Sequence, residues 1–369
     1  MIEKFIMFNR RFNDEFFFDL MIKILEKFDS AGIMYDSYYL PWPHFNNNCY
    51  FHKTNNRILF HMDMIPNLDN LSRLATDNPN HKHVFFSTQL TNQNLPDFKN
   101  VRIVHWGSDY LLQENDYRIL EPVEKKITNQ LPYWICLNRD PKLHRLLVVS
   151  YLKGLGLEQF GNIHINPEKL LTIDSWRSLC TQDYQTASLD QSTINTLDRG
   201  FCLLKDSPNL VTDSTLIYPK YNNDNVSNFN RYLRKYYTNT LVEIVNETAF
   251  TVSGLHLTEK FINSVFGMNI PLLVGVPGIV SYVEKLGFDM FRDIVDLKYD
   301  NVSDPLQRLT CAVDSNIRLL SDAQFAKEVW SQCQNRLINN VNWAKHCMHD
   351  RARQQALNAI PKVIEFLQS

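Results

Sequence analysis

The chain predicts an α/β protein of two doubly wound domains facing a cleft, with helices at the C-terminus. Its 369 residues are too many for one ordinary core and suit two domains. Short β-rich runs alternate with amphipathic helical segments in two separate blocks, the pattern of parallel sheets with crossover helices. Hydrophobic residues make up 44% and charged residues 21%, a globular profile.

The first block opens with a helix. Asn13 can cap it, Asp14 and Glu15 suit its first turn, Phe17, Met21, Ile24 and Phe28 share one face, and Gly32 ends it. Strands are expected at Arg57–Met62, His83–Ser87 and Val101–Trp106, each β-rich and followed by turn residues. Residues 1–125 therefore read as the first α/β domain.

The second block, 126–330, begins with a strand at Tyr133–Leu137. Asn138-Arg139-Asp140-Pro141 is a strand-to-helix turn in which Asp140 can cap and Pro141 can take the first helical position. That helix runs to about Lys153, with Gly154 as its stop. Residues 155–225 are polar and irregular, with short apolar pieces at 169–171 and 201–204. A helix near 226–238 leads to a strand at 241–246, a helix beginning at Thr258, a strand at 271–276 and a helix at 279–286. From Asp304, the residues Leu306, Leu309, Val313, Ile317 and Leu320 mark one amphipathic helix. Residues 331–369 read as helical, interrupted by Pro361, and are candidates to cross back to the first domain.

Bulk charge narrows the partners. A formal net charge of −2 gives no global field for nucleic acid or anionic membrane. Arg351 and Arg353 read as a solvated helix face that could line a local basic groove. The seven cysteines form no C-x-x-C pair and their count is odd, which predicts a reduced, cytoplasmic protein. The N-terminal Met1-Ile2-Glu3-Lys4-Phe5 lacks a signal-like apolar core, and no apolar run reaches membrane-spanning length. Scarce glycine with abundant Asn, Asp, Tyr and Phe fits an AT-rich genome.

The chemistry concentrates around Thr258-Glu259-Lys260. With Thr258 as cap, Glu259 and Lys260 fall in the first helical turn. There the free N–H groups and helix dipole favour an anion such as a diphosphate. Lys260 adds a full charge, although a lysine there is unfavourable for the helix itself. Glu259 can accept hydrogen bonds from ribose hydroxyls. Glu247 stands just past an apolar strand, where open parallel sheets bind ligands. The plain alternative is a helix start with a solvated Glu-Lys pair.

Asn246-Glu247-Thr248, then Thr258-Glu259-Lys260, then Pro271-Leu272-Leu273-Val274-Gly275 resembles the α1,3-fucosyltransferase signature of GT-B glycosyltransferases. Leu137-Asn138-Arg139 with His144-Arg145, and Leu286-Gly287-Phe288, Phe291, Asp296 and Tyr299-Asp300, are similar to patterns of phage and viral fucosyltransferase-like proteins. The latter departs at Leu297 and Lys298, where those proteins carry Glu and Ser. The likeness spans roughly 133–153 and 241–320. It implies two Rossmann-like domains in a GT-B-like arrangement and a nucleotide-diphosphate sugar as donor substrate, with no separate cofactor. The implied donor-binding residues are Arg139, Arg145, Glu247, Thr258, Glu259 and Lys260. The acceptor implied is a hydroxyl, either a hydroxymethylated base in phage DNA or a glycan or lipopolysaccharide. A non-catalytic nucleotide-sugar-binding protein is the other class. A phage origin would place it in the host cytoplasm. An inverting transfer needs a general base in the first domain. Asp63, after the strand containing His61, is the candidate, with Asp109 and Glu114 as rivals. No D-x-D element suggests a metal. His81 with His83, and His346, Cys347 and His349, lack a second ligand pair at useful spacing.

Overall fold

The computed structural model describes residues 15–34, 36–40, 56–61, 72, 75–76, 79–87, 90–91, 98–105, 119–127, 132–138, 142–165, 174–176, 178, 189–206, 229–248, 250, 254–255 and 257–369. Along the chain come helix α1 (Glu15–Ser30) and strands β1 (Asp36–Leu40), β2 (Asn56–His61), β3 (Lys82–Ser87), β4 (Leu90–Thr91) and β5 (Val101–His105). Then follow β6 (Trp134–Leu137), α2 (Leu143–Gly154), β7 (Gly161–His164), α3 (Gln191–Asp206) and α4 (Arg234–Tyr237). After these come β8 (Val242–Asn246), β9 (Gly254–Leu255), α5 (Glu259–Phe266), β10 (Ile270–Val274) and α6 (Ile279–Leu286). The chain closes with α7 (Pro305–Asp314), α8 (Ile317–Ser321), α9 (Ala323–His346) and α10 (Met348–Gln368). The molecule is thus a mixed α/β protein with parallel sheets.

The chain divides into two compact units. Unit 1 gathers Met1–Asp116, Ser253–Leu257 and His346–Ser369; unit 2 comprises Tyr117–Val252 and Thr258–Lys345. In unit 1 the sheet order is β1-β2-β3-β5, all parallel, so the described strands run in chain order without reversal. A short antiparallel ladder joins β4 to β9. The core sets Met21, Ile24, Leu25 and Phe28 of α1 against Ile58, Val84, Phe86 and Val104 of the sheet. Ala356, Ile360, Val363, Phe366 and Leu367 of α10 complete it. Lys82 donates to the Leu367 carbonyl at the helix end (3.3 Å), where a cation is favoured, and Arg102 lies over the Phe366 ring. Pro361 does not interrupt this helix; the break comes earlier, at Cys347 between α9 and α10.

Unit 2 has the sheet order β10-β8-β6-β7, also all parallel. From β6 the chain steps outward to β7, then returns past β6 to β8 and on to β10. The winding direction reverses between β6 and β8, which makes this sheet doubly wound. The α2–α3 crossing fixes one flank. A Cβ on Gly200 would overlap the Ser150 carbonyl oxygen, and one on Gly154 the Thr196 carbonyl oxygen. Gly154 therefore serves helix packing, and the left-handed residue past the helix end is Gly156 (φ 73°). Helix α3 lies where the sequence reads as irregular, yet its buried Leu197, Phe201 and Leu204 keep helical spacing. The expected amphipathic helix from Asp304 exists but breaks at Ser315–Asn316 into α7 and α8; Asp304 caps α7 by accepting from Gln307 N (2.8 Å).

Residues 119–127 open unit 2 and are tied to the rest of it. Arg234 donates to the Glu121 and Pro122 carbonyls (2.9 Å each), and Val123 N donates to Phe266 O (2.8 Å). The Lys125 ammonium donates to Tyr237 O, Thr240 O and Asn269 Oδ1. Burial pulls its pKa down, while three acceptors for three N–H groups favour the charged form.

Two outcomes follow for stability. Gly200→Ala should destabilise the protein by about 3 kcal/mol or more, read from urea unfolding, because the clash is with backbone; a loss under about 0.5 kcal/mol would contradict that packing. Removing residues 346–369 deletes four large core side chains of unit 1, each contributing roughly 2 kcal/mol, which approaches a typical domain's whole stability. Limited proteolysis of the truncated chain should degrade residues 1–116 before unit 2.

Candidate functional site

The reversal between β6 and β8 is where a doubly wound sheet leaves a crevice at its strands' C-terminal ends. These strands pair only at Trp134↔Val242 and Ile135↔Glu243, although β6 runs on to Leu137 and β8 to Asn246. Past that ladder, side chains span the gap: Asn246 Nδ2 donates to Asn138 Oδ1 (3.0 Å) and approaches Cys136 Sγ (3.3 Å). Asn246 Oδ1 is buried and has no hydrogen-bond partner among the described residues. Burial pushes the Cys136 thiol up to about 12, so it is inert as a nucleophile.

Two helices begin at this crevice. Helix α2 starts at Leu143 with Lys142 as cap, two residues later than Pro141 suggests, because Arg145 N and Leu146 N both donate to Lys142 O. Arg145 consequently falls in the first turn, and it is 3% exposed. Helix α5 starts directly after Thr258, placing Glu259 and Lys260 in its first turn as the sequence predicts.

Thr258 caps in an unexpected way. Its hydroxyl does not reach back to the helix N–H groups; it donates to Glu247 Oε2 (2.6 Å), and its backbone N–H donates to Glu247 Oε1 (3.1 Å). Thr248 N donates to Glu247 Oε2 as well (3.2 Å). Glu247 has no exposed surface, and burial raises its pKa against the pull of Lys260 and these donors. Its carboxylate ties the end of β8 to the start of α5.

The cations meet above this tie. Lys260 Nζ donates to Glu259 Oε1 (2.9 Å), Thr258 Oγ1 (3.0 Å) and Thr248 Oγ1 (3.3 Å). Arg145 Nη2 donates to the same Thr248 oxygen (3.4 Å). Burial would raise the Glu259 carboxyl, but the Lys260 ammonium and its hydrogen bond outweigh it and hold the group below its usual range. Arg145, Glu247, Thr258, Glu259 and Lys260 are therefore one cluster. Arg139 and Asp63, with Asp109 and Glu114, lie outside the described residues.

A second tier holds the cluster. His144 Nε2 lies 2.9 Å from the Glu247 carbonyl oxygen, which can only accept, so that nitrogen carries the proton. The imidazole stacks on Phe250 (centroids 5.0 Å apart, 9° between planes). Burial, with Arg145 beside it, lowers the His144 pKa to about 3. Arg308 is buried and donates to Gly275 O (2.8 Å), Val302 O (2.7 Å), Ser303 O (3.1 Å) and Phe250 O (2.8 Å), while its guanidinium also lies 4.9 Å from the centre of the Phe250 ring. His144 is named by the sequence motif, but its partners are distant in the chain. Only the structure shows Phe250 and Arg308.

The neighbouring helix start is closed. Asp300 accepts from Val280 N and Ser281 N (3.0 Å each) at the first turn of α6, and Tyr299 OH donates to Leu273 O (2.9 Å). Gly287 (φ 107°) ends α6 where a Cβ would meet the Trp343 ring. The Leu286–Asp300 pattern is thus occupied in scaffolding. Among the described residues no group of three His, Cys, Asp or Glu side chains could hold a metal ion. No helix among them is long and apolar enough to cross a membrane.

The His144 shift gives a pH test. The folded pKa of about 3 lies below the ordinary 6.5, so between those values the unfolded chain binds more protons. The stability this confers is complete above about pH 6.5 and is lost as pH falls toward 3, at about 1.4 kcal/mol per pH unit. Between pH 6.5 and 5 the wild type should lose roughly 2 kcal/mol more than His144→Gln. Parallel slopes in denaturant titrations would contradict it.

No protein-family profile matches the chain, and no curated protein matches it. Among solved structures it is similar to the crystal structure of a glycosyltransferase from Rickettsia africae ESF-5, at 12% identity and a TM-score of 0.37, over 94% of this chain and 81% of that one. Likeness at that level does not bear on activity, which must be read from this chain's own residues.

Proposed function

We propose that the protein is a GT-B-like glycosyltransferase that uses a nucleotide-diphosphate sugar, with the donor held by unit 2. The observation that carries this reading is the convergence of Arg145 and Lys260 on the single Thr248 oxygen, at a sheet reversal flanked by two helix starts. Two cations aimed at one neutral oxygen mark a place for an anion. The signature resemblance around Glu247, Thr258, Glu259 and Lys260 supports the same assignment.

In this reading Arg145 and Lys260 hold the diphosphate, with Arg139 as a further phosphate ligand. Glu259 accepts the ribose hydroxyls. Glu247 and Thr258 position the start of α5. In a direct displacement the acceptor oxygen bonds to the anomeric carbon as the bond to the β-phosphate oxygen breaks. The leaving diphosphate gains negative charge, which the arginine, the lysine and the helix ends stabilise. A carboxylate base, with Asp63 as candidate, takes the acceptor proton. The acceptor is a hydroxyl of a glycan or of a hydroxymethylated DNA base. The net charge of −2 favours the glycan.

Lys260→Ala and Arg145→Ala should each weaken binding of a nucleoside diphosphate roughly 10- to 100-fold in calorimetry. Mass spectrometry of a copurifying ligand would name the donor. If no nucleotide sugar is hydrolysed or bound, and Lys260→Ala changes nothing, the reading fails. Equal, salt-insensitive behaviour of plain and hydroxymethylated duplex in gel shifts would exclude the DNA acceptor.

A further inference from the structure

We propose that Glu259 is an internal competitor for the phosphate position on Lys260, and that it makes the site discriminate against inorganic phosphates. This deepens the donor-site reading above and rests on its assignment of Lys260.

An ammonium has three N–H donors, and Lys260 commits all of them, to Thr248, Thr258 and Glu259. A phosphate oxygen can reach the nitrogen only by displacing one. The Thr258 hydroxyl is fixed, since its proton goes to the buried Glu247 carboxylate and its lone pair faces Lys260. The Thr248 oxygen is shared with Arg145. Glu259 is the remaining partner, and it is part-exposed, with 22% of its side chain accessible.

The Glu259–Lys260 pair is also badly placed for permanence. Consecutive residues on a helix point about 100° apart and do not face one another, so both side chains must bend to meet. Glu259 loses little on release, because a carboxylate in the first turn of a helix keeps the favourable dipole interaction. An arriving phosphate therefore takes the place of Glu259 on Lys260, and the freed carboxylate needs donors.

A ribose supplies neutral hydroxyl donors within the same ligand, whereas the only protons on inorganic phosphate or diphosphate sit on the anion itself. Bare anions set their own negative charge beside the freed carboxylate with no neutral donor between them, which works against them. Nucleoside diphosphates return a hydrogen-bonded Glu259. Glu259 is thereby a specificity-determining residue that couples recognition of the two halves of the donor.

Calorimetry on the full-length chain tests this with two probes, inorganic diphosphate and a nucleoside diphosphate, in wild type, Glu259→Gln and Glu259→Ala. Both variants should bind inorganic diphosphate about tenfold tighter than wild type, with no comparable gain for the nucleoside diphosphate. Adding Lys260→Ala to Glu259→Gln should abolish that gain. Unchanged affinity for inorganic diphosphate, an equal gain for both probes, persistence of the gain without Lys260, or no binding of inorganic diphosphate by any form would each overturn the proposal. Wild-type binding of the nucleoside diphosphate reports separately on the donor-site reading. That reading survives if it binds while the variants show no selectivity change, and it falls if only the inorganic anion binds.

Discussion

A carboxylate with no exposed surface must have its lone pairs filled, and Glu247 fills them with the N–H and hydroxyl of Thr258 and the N–H of Thr248. Burying that charge unpaired would cost several kcal/mol, so Thr248 and Thr258 are both held against it. The end of β8 and the start of α5 are drawn to one point, and the rest of the cluster follows. The Thr258 hydroxyl, having given its proton to Glu247, can only accept. Lys260 supplies the donor. Thr248, held at the same carboxylate, then presents its own hydroxyl to Lys260 and Arg145.

The same economy appears one tier back. Arg308 is a buried cation that donates to four backbone carbonyls. Those carbonyls belong to separate turns at one end of the unit 2 sheet, at Phe250, Gly275 and Val302–Ser303. One guanidinium thus fixes the turn after β10 and the segment after β8 together. Phe250, so placed, stacks on His144, and His144 reaches the Glu247 carbonyl. The imidazole must stay neutral to sit beside Arg145, and burial keeps it so. His144 acts through position rather than by carrying charge.

Much of this was legible in the sequence, for identifiable reasons. The start of α5 follows from a capping residue after an apolar strand, and the strands of unit 2 follow from their apolar runs. Both are local signals, and they cover β6, β8 and β10 but not β7, which lies in the stretch that reads as irregular. The polar composition of 155–225 was misleading: it reads as irregular, yet it holds α3, where Gly200 lets that helix touch the backbone of α2. Pro361 likewise reads as an interruption, yet α10 continues through it. The role of Asp300 depends on a helix start twenty residues earlier in the chain. The Arg308–Phe250–His144 chain joins residues more than a hundred positions apart. No periodicity reports such contacts. The reversal of strand order, which locates the crevice, is also a property of pairing and not of any single strand.

The charge balance of the cluster ties these points together. Arg145 and Lys260 approach one oxygen, and two cations so close in a partly buried site would repel strongly if nothing opposed them. Glu247 and Glu259 oppose them, and the four formal charges cancel. The two carboxylates differ in one respect that matters. Glu247 is sealed by backbone and hydroxyl donors and cannot leave without unmaking the start of α5. Glu259 is held by the lysine next to it and retains exposed surface. A neutral resting cluster with one fixed and one releasable acid can accept an anion without first carrying an uncompensated positive charge. The permanent carboxylate sets the geometry, and the exchangeable one keeps the cation pair stable until a ligand replaces it.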